Sequence, residues 1–201
     1  MKNKSKTVYT NLMWRLLERF GAQGVTLVVS LILARLLDPE AYGTVALITI
    51  FTAVLNVFVD SGLANSLIQK KNADDVDFSS VFYFNVLICC LLYIIMFVSA
   101  PAISRFYNKP EIVPMIRVLS LTLIISGIKN VQQAYVSKNM MFKKFFFSTL
   151  GGTLTASIIG IALAILGKGA WALIIQNITN LLMDTIILWF TVKWRPKLLF
   201  S

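Results

Sequence analysis

Six charged residues lie within or at the edge of long apolar runs, where an isolated charge is unfavourable. They are three cations and three carboxylates: Arg15, Arg19, Lys129, Glu18, Asp60 and Asp184. A charge at the centre of a membrane helix costs at least about 2.5–3.5 kcal/mol, so such residues generally face a protein interior or a water-filled cavity. The cations could attract anionic groups of a ligand. The carboxylates could pair with those cations, or take up a proton or a sodium ion.

Uncharged polar residues accompany these charges at steps of three or four along four of the apolar runs. Residues at such steps share one face of a helix. The four stripes therefore predict helices that enclose one hydrophilic cavity, with polar lining from four amides: Asn56, Gln133, Asn177 and Asn180.

Each polar stripe also has a structural alternative. The segment with Arg15, Glu18 and Arg19 could form an amphipathic helix on the inner leaflet. Lys129 could extend to the membrane surface, or pair with Asp184 and join two helices. Asp60 could lie at a wet interface, and Asn and Thr stripes also mediate plain helix packing.

The elements that would position these residues follow from the composition. The chain has 201 residues, of which 57% are hydrophobic and 14% charged, with a mean hydropathy of +0.76. A soluble domain needs more charge on its surface, so these values indicate an integral membrane protein. Because a helix needs about 20 mostly apolar residues to cross a bilayer, the sequence predicts an all-α bundle of six transmembrane helices. We expect residues 1–201 to form one unit, with spans at about 12–36, 41–63, 79–104, 115–137, 145–167 and 170–192.

Lysine and arginine predict the orientation of the bundle. With a cytoplasmic N-terminus, eleven basic residues fall on the inner side: Lys2, Lys4, Lys6, Lys70, Lys71, Lys138, Lys143, Lys144, Lys193, Arg195 and Lys197. Five fall on the outer side: Arg35, Arg105, Lys109, Arg117 and Lys168. This bias favours cytoplasmic termini. It also accounts for most of the net charge of +10 without a nucleic-acid partner.

Several kinds of chemistry are disfavoured. The chain has no histidine, which removes the commonest general base and metal ligand at neutral pH. Its two cysteines, Cys89 and Cys90, are adjacent within an apolar run, where small apolar packing residues are expected. The gaps between the predicted spans are too short for a soluble domain. We therefore expect no enzyme, no metal site and no cofactor.

Five turn segments resemble those of one transporter family. They are "ARLLDPEAYG", "GLANSLIQKK", "APAISRFYNKP", "QQAYVSKNMMFKKF" and "LGKGAWAL", in that order along the chain. The pattern is similar to the Wzx-like oligosaccharide flippases of polysaccharide biosynthesis, within the multidrug/oligosaccharidyl-lipid/polysaccharide exporter superfamily. Each motif is weak alone, and the five together indicate the family but say little about the substrate.

The resemblance implies a two-lobed transporter that moves polyprenyl-diphosphate-linked oligosaccharide across a bacterial cytoplasmic membrane by alternating access. The glycan would serve lipopolysaccharide or exopolysaccharide synthesis. This chain would supply the N-terminal lobe, and we expect it to be a fragment that acts with a C-terminal lobe or a second copy. Two alternatives are a cation-coupled multidrug exporter of the same superfamily and a non-transporting membrane assembly partner.

Within that framework each candidate residue has an expected role, which rests on the geometry of the stripes. Arg15, Arg19 and Lys129 would attract the diphosphate or acidic sugars, because arginine donates paired hydrogen bonds to phosphate. Glu18, Asp60 and Asp184 would pair with these cations or bind the coupling ion. The four amides would contact sugar hydroxyls. Membrane lipids would surround the bundle.

Overall fold

The computed structural model describes residues 2–59, 63–70 and 73–197. Within this part of the chain every regular element is a helix. They are α1 (Lys2–Leu36), α2 (Pro39–Val59), α3 (Leu63–Gln69), α4 (Asp75–Tyr107), α5 (Ile112–Leu119), α6 (Leu121–Lys138), α7 (Phe142–Ile165) and α8 (Ala170–Thr191). Asp60 and Lys71 lie outside the described residues.

Six segments are long and apolar enough to cross a membrane: Tyr9–Leu36, Pro39–Gln69, Asp75–Tyr107, Ile112–Lys138, Phe142–Ile165 and Ala170–Thr191. The predicted all-α fold with six membrane-crossing helices is therefore confirmed, and the chain is a multi-pass membrane protein. The fourth segment consists of two helices, because α5 ends at Leu119 and α6 begins at Leu121.

Local sequence explains several helix boundaries. Pro39 begins α2, as expected for a residue that lacks an N–H and has a helical φ. At the start of α4 the Asp74 carboxylate accepts from the Asp77 N–H at 2.9 Å, and Asp77 reciprocates, which forms a capping box. Between α7 and α8, Gly167 and Gly169 have φ of 68° and 52°, a region that glycine enters without steric cost.

The core has three clusters of buried apolar residues. One lies between α2, α4, α5, α6 and α8 and includes the fully buried Cys89. A second lies at one end of the bundle, around Phe78, Phe82 and Trp194. The third joins the C-terminal half of α1 and the start of α2 to α7 and α8. Beyond this third cluster, α1 packs mainly along α7 and is otherwise exposed.

Candidate functional site

A polar cleft lies between α2, α6, α7 and α8, and one part of it contains Lys129. This part, the Lys129 pocket, has a volume of about 470 Å³. Its polar lining consists of Thr49, Thr52, Asn56, Thr122, Ser126, Lys129, Thr149, Asn177, Asn180 and Asp184. The break between α5 and α6 borders this pocket, because Leu119 and Thr122 also line it.

A second and larger pocket continues the cleft toward Tyr42. This Tyr42 pocket has a volume of about 630 Å³ and shares Thr49, Asn177 and Asn180 with the first. Its further polar lining comes from Thr26, Tyr42, Thr153, Ser157 and Gln176. The two pockets adjoin through these shared residues, and polar side chains from α2, α7 and α8 contribute to the lining of both.

The only ion pair that joins two membrane helices within the described residues lies in the wall of the Lys129 pocket. The Lys129 ammonium on α6 is 2.5 Å from Asp184 Oδ2 on α8. The side chains are only 13% and 8% exposed. The second carboxylate oxygen of Asp184, Oδ1, is buried and has no hydrogen-bond partner in the described part of the chain. The pair therefore neutralises the pocket but leaves an acceptor unsatisfied.

Small residues on α7 bring α8 close enough to form this wall. A Cβ added at Gly152 would be 2.8 Å from the Asn180 carbonyl oxygen and 3.0 Å from the Asp184 backbone nitrogen. One at Gly160 would be 2.9 Å from Cγ of Gln176. Ala156, between these glycines, is buried. This spacing of small residues every four positions allows helix backbones to approach closely in membranes, and here it positions Asn180 and Asp184.

The hydroxyl groups in the cleft are oriented by their own helices. Thr49 donates to the Val45 carbonyl at 2.7 Å, Thr153 to Thr149 at 2.8 Å, and Ser157 to Thr153 at 2.6 Å. Because each of these hydroxyl protons is already donated, the hydroxyl can offer a ligand only its oxygen, as an acceptor. The amides of Asn56, Asn177 and Asn180 make no side-chain hydrogen bond to another described residue. The cleft thus offers both acceptors and donors to a ligand.

Five of the ten residues predicted for the site lie together in the Lys129 pocket: Asn56, Lys129, Asn177, Asn180 and Asp184. Arg15 and Glu18 form a separate ion pair on α1, at 3.2 Å. The Arg15 guanidinium lies 5.4 Å from the ring centre of Phe142 and 5.3 Å from that of Phe145, at the first turn of α7.

The remaining predicted residues do not line the cleft in the described structure. Arg19 is exposed on α1 and is absent from the lining of both pockets. Gln133 is half-buried and also outside the lining, whereas its neighbour Gln132 is fully buried and donates to the Trp194 carbonyl at 3.2 Å. Asp60 cannot be placed, because it lies outside the described residues.

The fifth span supplies polar lining that was not predicted. Thr149, Thr153 and Ser157 on α7 recur at steps of four and contribute to one or both pockets. That spacing was visible in the sequence, but no charged residue lies between Phe145 and Gly167 to mark the segment as functional. Conversely, α1 supplies only Thr26 to the cleft, although it carries three of the predicted charges.

Three of the basic residues assigned to the inner side make contacts at one end of the bundle, the basic end. Lys138 at the end of α6 donates to the carbonyls of Leu67 and Lys70. Lys144 at the start of α7 donates to the Thr191 carbonyl at the end of α8. Lys197 lies 2.6 Å from Asp75 at the start of α4. At the opposite end, Lys109 pairs with Glu40 at 2.8 Å.

Within the part of the chain that the structure describes, no cluster of three or more Cys, Asp or Glu side chains could hold a metal ion. The polar groups that line the cleft are neutral hydrogen-bonding side chains and the Lys129–Asp184 ion pair.

Comparisons with known proteins agree with this picture. Residues 32–201 match the family described as polysaccharide biosynthesis protein. The chain is 27% identical over 197 residues to the succinoglycan biosynthesis transport protein ExoT of Rhizobium meliloti. The matched residues make up 98% of this chain and 40% of that protein. It is 25% identical over 208 residues to the lipopolysaccharide biosynthesis protein WzxC of Escherichia coli, covering 100% of this chain and 41% of that protein.

A third relative is the teichuronic acid biosynthesis protein TuaB of Bacillus subtilis, which is 24% identical over 155 residues, 75% of this chain and 32% of that protein. The chain thus spans about 40% of the length of the first two relatives. No solved structure gives a significant match. The resemblance inferred from the five turn segments is confirmed.

Proposed function

The chain belongs to the polysaccharide biosynthesis protein family, and from this premise we propose that it forms one lobe of a flippase. The flippase moves polyprenyl-diphosphate-linked oligosaccharide across the bacterial cytoplasmic membrane for cell-surface polysaccharide synthesis, by alternating access. The observation that carries the proposal is the polar cleft between α2, α6, α7 and α8.

The cleft has the chemistry that a glycan headgroup needs. A sugar hydroxyl both donates and accepts, and moving it into hydrocarbon without partners costs several kcal/mol. The Thr and Ser oxygens accept hydrogen bonds, while the amides of Asn56, Asn177 and Asn180 can donate or accept. The headgroup would cross along this wall while the polyprenyl tail stays in lipid.

The cations have two proposed positions along the path. Lys129 lies in the cleft and would meet a phosphate or acidic sugar inside the membrane. Arg15 and Arg19 lie on α1 outside the lining, and Arg15 is close to the start of α7, near the basic end of the bundle. They would attract the diphosphate at the cytoplasmic surface before it enters. Glu18 serves as the counter-charge of Arg15, and Asp184 as that of Lys129. Asp60 remains a candidate for ion coupling.

A second lobe completes the transporter in this proposal. It is either a C-terminal lobe of the same polypeptide or a second copy of this chain. Two observations support it: the chain spans about 40% of its first two relatives, and α1 exposes large apolar side chains, including Leu27 and Leu31, next to the cleft. Both termini are cytoplasmic, because the basic end of the bundle would face inward. The protein acts as a transporter and not as an enzyme.

The test is a strain that lacks this gene, complemented with cleft variants. Asn56→Leu combined with Asn180→Leu should reduce surface polysaccharide and cause lipid-linked precursor to accumulate in the inner leaflet. Asn65→Leu, at an exposed position on α3, is the matched control and should complement fully. Equal complementation by the double variant and the control would contradict the proposal.

The same strains distinguish the other candidate functions. A multidrug exporter would lose drug resistance in the cleft variants while surface polysaccharide stays normal. An assembly partner would be required for polysaccharide but insensitive to both cleft substitutions. Neutralising Arg15, Arg19 and Lys129 together should also impair transport, and unchanged transport would contradict the proposed roles of these cations.

A further inference from the structure

We propose that Asp184 is an internal competitor for the anionic part of the substrate. It holds Lys129 in the empty cleft, gives the ammonium up to a phosphate or acidic sugar, and takes it back when that group leaves. This inference rests on the proposed transport function and concerns the regulation of the same site.

The geometry of the pair is that of a displaceable contact. Asp184 reaches Lys129 with one oxygen, Oδ2, at 2.5 Å, while Oδ1 is buried without a partner. A lysine ammonium has three N–H donors, and Asp184 is the only acidic side chain within 4 Å of Lys129 among the described residues. Lys129 therefore has donors left for a second anion, and Asp184 holds it through one oxygen.

A ligand in the cleft can reach this contact. Both residues belong to the lining of the Lys129 pocket, together with Ser126, Asn177 and Asn180. They come from different helices, α6 and α8, so the ammonium and the carboxylate can separate without unwinding either helix. Arg15 and Glu18 differ in this respect, because they are three residues apart on α1 and lie outside the cleft.

The exchange would allow the site to release its cargo after each transport cycle. A permanently unpaired lysine in a low-dielectric cleft would bind a phosphate strongly, and a transport site must bind weakly enough to release its cargo. With Asp184 present, binding breaks one charge-assisted contact and forms another: the Lys129–carboxylate contact is replaced by a Lys129–phosphate contact. Release reverses the exchange. Lys129 has a counter-charge in both states, and the cost of leaving Asp184 unpaired while the cargo is bound keeps that binding weak.

Farnesyl diphosphate is a suitable probe, and farnesol, which lacks the charge, is its control. Binding to the purified chain is measured by thermal shift and by tryptophan fluorescence. Asp184→Asn should bind farnesyl diphosphate at least about tenfold more tightly than the unmodified chain, because the competitor is removed. Farnesol should bind all variants equally.

A double-mutant cycle separates competition from a general effect of charge. In a Lys129→Met background, the further change Asp184→Asn should alter affinity for the diphosphate much less than it does in the unmodified chain, because only direct repulsion by the carboxylate remains. Glu111→Gln removes an exposed carboxylate that lines neither pocket and should leave affinity unchanged. Equal affinity of Asp184→Asn and the unmodified chain would overturn the inference, as would an undiminished effect of Asp184→Asn in the Lys129→Met background.

Should Asp184→Asn fail to fold, Asn180→Asp tests the inference in the opposite direction, by adding a competing carboxylate. It adds a carboxylate one turn before Asp184 in the same pocket and should weaken diphosphate binding about tenfold. Unchanged affinity would overturn the inference. The proposed transport function is judged separately by the complementation strains, so either proposal can fail while the other stands.

Discussion

Two ion pairs within the membrane helices differ in the helices they join, in distance and in the exposure of the cation. Lys129 and Asp184 join two helices across 2.5 Å, with side chains that are 13% and 8% exposed. Arg15 and Glu18 are three residues apart on one helix at 3.2 Å, with side chains that are 41% and 14% exposed. The first pair forms part of the wall of a polar cleft, and the second lies on the outside of the bundle beside α7. In this chain the pair that joins two helices lies in the wall of the cleft, and the pair within one helix does not.

The largest expected effect is that of removing one partner of the buried pair. Lys129→Met leaves the Asp184 carboxylate buried without a counter-charge and should lower the free energy of unfolding by about 3–5 kcal/mol. Lys129→Met with Asp184→Leu should recover most of that loss, since no charge remains. Unfolding titrations in mixed detergent micelles measure both. A double variant no more stable than the single one would contradict the burial argument.

Close packing behind the cleft predicts the next effect. Gly152→Ala places a Cβ 2.8 Å from the Asn180 carbonyl oxygen, so α7 and α8 must separate. Overpacking of this kind costs about 1–3 kcal/mol, and the shift of Asn180 and Asp184 should also lower transport. Gly24→Ala on α1 is the matched control, because no atom lies within 4 Å of its added Cβ. If both alanines have the same effect on stability and transport, packing at Gly152 does not position the site.

The Arg15–Glu18 pair on α1 should show a much smaller effect on stability when it is removed. Arg15→Gln removes a partly exposed contact between residues on one helix, and pairs of this kind contribute about 0.3–0.5 kcal/mol. The same unfolding titration checks this value. A loss as large as that of Lys129→Met would erase the distinction between the two pairs.

The smallest effect is expected at the opposite end of the bundle from the basic cluster. The hydrogen bond from Lys109 to Glu40 raises the pKa of Lys109 above its ordinary value. A raised lysine pKa contributes stability that is present below the ordinary lysine value and is lost as the pH rises through the folded value. The stability that this contact contributes should therefore not change with pH between pH 6 and 9. Lys109→Gln should leave the pH profile unchanged in that range, and a slope that appears only in the variant would contradict this.

Much of the fold was predictable from the chain alone. Six apolar segments, the Pro39 helix start and the turn at Gly167 to Gly169 follow from local rules that do not depend on neighbouring helices. The gap between α5 and α6 at Ser120 was not predicted, because no Pro or Gly lies within five residues of it to mark a break.

The candidate site was predictable in part. Spacing on α8 indicated that Asn177, Asn180 and Asp184 share a face, and the structure places all three in the Lys129 pocket. Spacing alone could not show which way each helix is rotated. Gln133 was therefore chosen where Gln132 is the buried residue, and α1 was assigned to the cavity although it contributes little to the lining. The contribution of α7 depends on close contact at Gly152, which is a property of two helices and not of one.

The measurement that tests the central claim most directly is the accessibility of the cleft to water. Single cysteines replace Asn56, Asn180 or Ile94 in a protein whose Cys89 and Cys90 are alanine, and each is treated with a charged, membrane-impermeant thiol reagent. We predict that Asn56→Cys and Asn180→Cys react, while Ile94→Cys, on the exposed apolar face of α4, does not. If the two cleft cysteines are as unreactive as the one on α4, the cleft is a dry helix contact and the proposed path for the headgroup is wrong.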